Sequence, residues 1–131
     1  MPQTDDSHTV APPGARWRAG LKGRQVEPQA RARVAEAFAP LARRLPQGEA
    51  GIRLLGTSGT VTTLASLHLD LPRYDRQAID GLIVPSSSMR AISERLSTMA
   101  LADRQRLPCI GTERADLVVA GCAILESILD I

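Results

Sequence analysis

The sequence predicts an α/β fold that is rich in helix and short of sheet. Three observations carry this expectation. Apolar residues recur at spacings of three and four over residues 28–45, 61–69 and 86–99, as in helices with one buried face. A compact apolar run at residues 52–55 stops at Gly56. It reads as a short strand buried on both faces, as in a parallel or mixed sheet. The last segment, LVVAGCAILESIL, is apolar nearly all round, which predicts a buried helix. One strand is too little sheet for a complete α/β domain, so the remaining strands are expected from elsewhere.

Residues 1–27 mix Pro, Gly, Asp, Ser and Arg without a period and read as a flexible or remnant segment, with Trp17 as its one large apolar group. Over residues 28–45, Pro28 suits a first helical turn. Ala30, Val34, Ala37, Phe38, Leu41 and Leu45 share a face, and Arg31, Arg33, Glu36, Arg43 and Arg44 take the solvated one. LPQGEAG breaks this helix, and the strand follows. A helix is expected over residues 61–69, stopped by Pro72, and a short extended piece at Leu82 to Val84. Ser86, Ser87 or Ser88 can cap the next helix. There Met89, Ile92, Leu96 and Met99 form a core stripe. A polar connector leads to the buried helix over residues 115–129.

The totals narrow the function. The 131 residues suffice for one domain with a modest core. With one Trp, one Tyr and one Phe, that core is built from Leu, Ile, Val and Ala. The 16 basic and 14 acidic residues balance too evenly to imply nucleic acid. Two cysteines are too few for a disulfide framework. Cys122 reads as a buried apolar residue, and Cys109 as a free thiol in a loop. Neither cysteine, and neither His8 nor His68, has a neighbour at metal-ligand spacing, so no metal site is expected within this chain. No apolar leader or membrane-length stretch is present, which makes the cytoplasm the expected location.

Between strand and helix lies GTSGT: Gly56, Thr57, Ser58, Gly59 and Thr60. One reading is a tight turn with a capped helix. The other is an anion seat. A glycine loop ahead of a helix offers unpaired N–H groups and the positive end of the helix dipole. Glycines let a ligand approach the backbone, and three hydroxyls can add hydrogen bonds. The loop has neither the Lys of a Walker motif nor a third dinucleotide glycine. Both readings stand on the loop alone.

The ordered set around it is more specific. GTSGT is followed by Tyr74 and Gly81, then by Arg104, Leu107 and Pro108, then by Arg114, Ala115, Asp116 and Gly121. This set resembles the C-terminal part of the exopolyphosphatase / guanosine pentaphosphate phosphatase (Ppx/GppA) family over residues 28–131. The resemblance implies part of a ribonuclease H-like domain of the actin-like ATPase and sugar kinase superfamily. It implies release of terminal phosphate from inorganic polyphosphate or guanosine pentaphosphate, normally with Mg2+. GTSGT would face the cleft, and Arg104 and Arg114 would hold phosphate or fix the neighbouring loop, since guanidinium forks suit phosphate oxygens. Arg114 could equally pair with Asp116, which itself could cap its helix. The family's two other phosphate loops and its catalytic glutamate find no match, and Cys109 stands where the family has Gly. No catalytic residue is therefore assigned. The expectation is a truncated or split member, inactive alone, completed by an N-terminal chain or self-associated through its open sheet edge, or else a module that binds polyphosphate or guanosine tetra- and pentaphosphate without turnover, or an unstable remnant.

Overall fold

A computed structural model describes residues 26–46 and 52–131. The expectations for residues 1–25, Trp17 among them, and for the helix break at residues 47–51 lie outside the described residues.

The described residues form seven helices: α1 (Val26–Ala42), α2 (Gly59–His68), α3 (Arg76–Ile79), α4 (Ser86–Thr98), α5 (Leu101–Arg106), α6 (Gly111–Arg114) and α7 (Leu117–Leu129). Helix α7 is the centre. It is packed by α1, α4 and α2, while α5 packs on α6. The core joins Leu64 and Leu67 of α2, Leu96 of α4, Ile110 and Ala115 of the connector, and Val118, Cys122 and Leu125 of α7. Met89 and Ile92 complete the α4 stripe at its edge. The core is thus aliphatic, and Cys122 is buried in it as a small apolar group. Helix α2 is enclosed more fully than its period predicts, with Thr63, Leu64, Ala65, Ser66 and Leu67 all buried in succession.

Several expectations are corrected. The strand at residues 52–55 does not form. Residues 52–57 have no regular structure, and Ile52, Leu54 and Leu55 are exposed. A strand is held by a neighbour's N–H and C=O groups, and no described residue supplies them. Residues 82–85 are likewise irregular, with Ile83 exposed. Helix α1 starts at Val26 and carries Pro28 inside its first turn. The serines at 86–88 do not cap α4. They form its first turn, behind Pro85, and no side chain caps the end. Asp116 does not cap α7 either, because its backbone is already helical (φ −76°, ψ −37°), whereas a cap needs extended backbone. Nor is α7 buried all round, since Leu117 and Ile124 are exposed.

Arg31 is not simply solvated. It forms ion pairs with Glu126 and Asp130 of α7, the second at 3.6 Å. Arg90 of α4 reaches Asp130 at 2.7 Å, and the Ser93 hydroxyl donates to Glu126. These polar contacts bind α1 and α4 to the end of α7.

Candidate phosphate site at the α2 N-terminus

The loop reaches α2 through a tight backbone. Gly56 sits under Val61, and a β-carbon there would lie 3.0 Å from the Val61 Cγ1 atom. Ser58 has φ 78° and ψ −173°, a region almost reserved for glycine, and a seryl side chain there holds strain. Its hydroxyl makes no capping bond. The Ser58 carbonyl is fixed instead, accepting from the Thr62 N–H at 3.2 Å and from the Thr62 hydroxyl at 2.9 Å. The same hydroxyl reaches the Gly59 carbonyl at 3.1 Å, and Ser66 donates to the Thr62 carbonyl at 2.9 Å. A ladder of hydroxyls thus runs up one side of α2.

The N–H groups of Gly59, Thr60 and Val61 have no backbone acceptor among the described residues. They are the open donors of a helix N-terminus, where the dipole favours negative charge. A β-carbon at Gly59 would meet nothing within 4 Å, so there is room for a side chain at that position. Gly56, Thr57, Ser58 and Gly59 are all exposed.

Thr60 differs from its neighbours. It is half-buried against Gly121 of α7, where any added β-carbon would overlap the Thr60 hydroxyl. Two of the motifs read from the sequence therefore meet: the end of GTSGT rests on the glycine of the last helix. The sequence offered no sign of this contact beyond the presence of a glycine inside a helix.

Arg104 and Arg114 do not join the loop through any hydrogen bond. Arg104 is half-buried. Its Nε donates to the Ala115 carbonyl at 3.0 Å. Its Nη1 donates to the carbonyls of Leu96 at 3.0 Å and Met99 at 2.5 Å. The guanidinium thereby satisfies the C-terminal end of α4 and ties it to Ala115, two residues before α7. Arg114 ends α6 and is exposed. It forms no ion pair with Asp116 or any other described carboxylate, so its fork faces solvent. Cys109 donates its thiol to the Leu71 carbonyl at 3.3 Å. Tyr74 is exposed, and Gly81 occupies a left-handed turn at φ 78°.

The Mg2+ implied by the resemblance does not find a site here. Among the described residues no three His, Cys, Asp or Glu side chains converge. No helix among them is long and apolar enough to cross a membrane.

The sequence is 31% identical over 99 residues to exopolyphosphatase 2 of Mycobacterium tuberculosis, in both the CDC 1551 / Oshkosh and the H37Rv strains. A continuous match of 99 residues within 131 takes in residues 33–99 wherever it is placed, and hence GTSGT. Over that span the chain is similar to an exopolyphosphatase. The match covers 76% of this chain and 31% of the Mycobacterium protein, so the chain spans about a third of the length of its curated relatives. No family model matches it, and no solved structure does.

Proposed function

We propose that this chain belongs to the exopolyphosphatase family, forms one wall of a phosphate-handling cleft and grips the terminal phosphate of inorganic polyphosphate. The observation that carries the reading is the N-terminus of α2 within a match to an exopolyphosphatase: three N–H donors with no backbone acceptor among the described residues, an exposed glycine loop before them, and the dipole of a ten-residue helix behind. In this reading Gly56, Thr57, Ser58 and Gly59 form the seat. Thr57 and Ser58 add hydroxyl donors, and Thr60 offers its N–H while its side chain anchors the loop on α7. Arg114 supplies a solvent-facing guanidinium for phosphate oxygens. Arg104 is a positioning residue, since its donors are already engaged.

The parent architecture in this proposal is a ribonuclease H-like domain, of which residues 28–131 are the C-terminal part. Hydrolysis of a phosphoanhydride needs a positioned water and neutralised charge as well as a grip on phosphate. The described residues supply the grip. Guanosine pentaphosphate presents the same terminal phosphate chemistry and is the alternative ligand.

Thermal unfolding with and without long-chain polyphosphate, at several ionic strengths, tests the seat. Gly59→Glu is the informative variant. Position 59 has room and ordinary backbone, so the variant folds, and its carboxylate occupies the anion position. Polyphosphate should raise the Tm of the parent at moderate salt and leave Gly59→Glu unmoved. Equal responses, or none, would sink the proposal.

A further inference from the structure

A hydroxyl that bonds back to a carbonyl one turn earlier is common in helices. Ser66, Thr98 and Ser127 do so here, toward Thr62, Glu94 and Ala123, and those three acceptors lie inside regular helix. Thr62 differs in what it holds. Its Oγ1 reaches the Ser58 carbonyl at 2.9 Å and the Gly59 carbonyl at 3.1 Å, sharing one proton between two acceptors. Ser58 stands just before α2, with φ 78° and ψ −173°. Glycine adopts that pairing and serine resists it, so the Ser58 peptide needs a hold from outside. The Thr62 N–H reaches the same carbonyl at 3.2 Å, and the hydroxyl bond is the shorter of the two.

Peptide geometry extends the effect to the donors. In a trans peptide the C=O and the next residue's N–H point opposite ways, and no described peptide is cis. Turning the Ser58 carbonyl toward Thr62 therefore turns the Gly59 N–H out of the helix end. Turning the Gly59 carbonyl the same way does so for the Thr60 N–H. These are two of the three N–H groups that have no backbone acceptor among the described residues. One side chain within α2 thus sets the aim of both.

We propose that Thr62 is the positioning residue of the GTSGT loop: its hydroxyl holds the Ser58–Gly59 and Gly59–Thr60 peptide units so that both N–H groups point at one anion. Thr62 does not itself contact the anion, because its proton is engaged by the backbone. The consequence for affinity rests on the reading of the loop as a phosphate seat, whereas the hold on Ser58 does not.

The test compares the 131-residue chain with Thr62→Val, which keeps the side chain's shape and loses its hydroxyl, and with Thr62→Ser, which keeps the hydroxyl. Affinity for long-chain polyphosphate at fixed moderate salt should fall ~10-fold in Thr62→Val, the scale of one hydrogen bond, and return to within ~3-fold of the parent in Thr62→Ser. The second readout needs no ligand. The nuclear Overhauser effect between the amide proton and Hα of Ser58, strongest where φ is positive, should be strong in the parent and in Thr62→Ser and weaker in Thr62→Val. Ser66→Ala removes a fully buried hydroxyl from the same ladder and should leave polyphosphate affinity unchanged whatever it does to Tm, which separates positioning from general support of α2. In a Ser58→Gly background, Thr62→Val should cost less than ~3-fold, since glycine takes this conformation unaided. Parent-like binding by Thr62→Val, no rescue by Thr62→Ser, an equal loss in Ser66→Ala, an undiminished loss beside Ser58→Gly, or an unchanged Ser58 signal would each overturn the proposal. If the parent binds no polyphosphate, the phosphate seat fails, and the Ser58 signal still decides whether Thr62 holds the loop.

Discussion

A helix glycine normally weakens its helix by roughly 1 kcal/mol relative to alanine, so Gly121 needs a reason to be where it is. The reason is Thr60. The Thr60 side chain occupies the space that a β-carbon at position 121 would take, and this contact sets how closely the loop lies against α7. Gly121→Ala should therefore destabilise the chain by about 1–3 kcal/mol through overlap, despite its better helix propensity. In a Thr60→Ala background the same change should be neutral or stabilising, because the hydroxyl and methyl that block it are gone. Urea unfolding of the four proteins gives the cycle. Additive effects would mean that the two residues do not touch. Gly59 behaves oppositely, with nothing around it to exclude a side chain. The sequence shows both glycines alike. It distinguishes them only through a contact between positions 61 residues apart, which spacing cannot reveal. What spacing did reveal is the loop itself and the helix that follows it.

At the level of elements, the helices were legible where one buried stripe repeats with helical period. Met89, Ile92 and Leu96 form the expected inner face of α4, and Cys122 and Leu125 lie on the inner face of α7. Charged residues were less legible. Arg31 reads as solvated from its own helix, yet its partners Glu126 and Asp130 stand at the far end of the described chain. The two arginines of the candidate site divide in the same way. Arg104 donates to three carbonyls from two elements, a role that needs a planar fork and not merely a positive charge. Arg104→Lys should therefore lower stability by about 2–3 kcal/mol, the scale of lost charge-assisted hydrogen bonds to carbonyls left behind. Arg114→Lys should change stability by less than about 0.5 kcal/mol, as at an exposed site. Denaturant midpoints of the two variants make the comparison. Similar losses in both would show that Arg104 is not the tie between α4 and α7.

For the whole molecule, the helices could be read from the sequence, while the expected strand does not form among the described residues. The reason is cooperative. A helix closes its own hydrogen bonds, so its pattern carries its structure, whereas a strand takes its structure from neighbours, and residues 52–55 have none among the described residues. The same division applies to chemistry. A phosphate grip can be built locally, from a loop and a helix end. Water activation needs groups brought together from distant parts of a fold, and no three His, Cys, Asp or Glu side chains converge among the described residues to hold a metal ion for it. The 131-residue chain alone should accordingly bind polyphosphate with marked salt dependence and release no phosphate from it. Phosphate release from long-chain polyphosphate with Mg2+, followed over hours at increasing protein concentration, checks this. Turnover proportional to the concentration of the isolated chain would mean that these 131 residues contain a complete site. Turnover rising with the square of concentration would place the missing groups on a second copy.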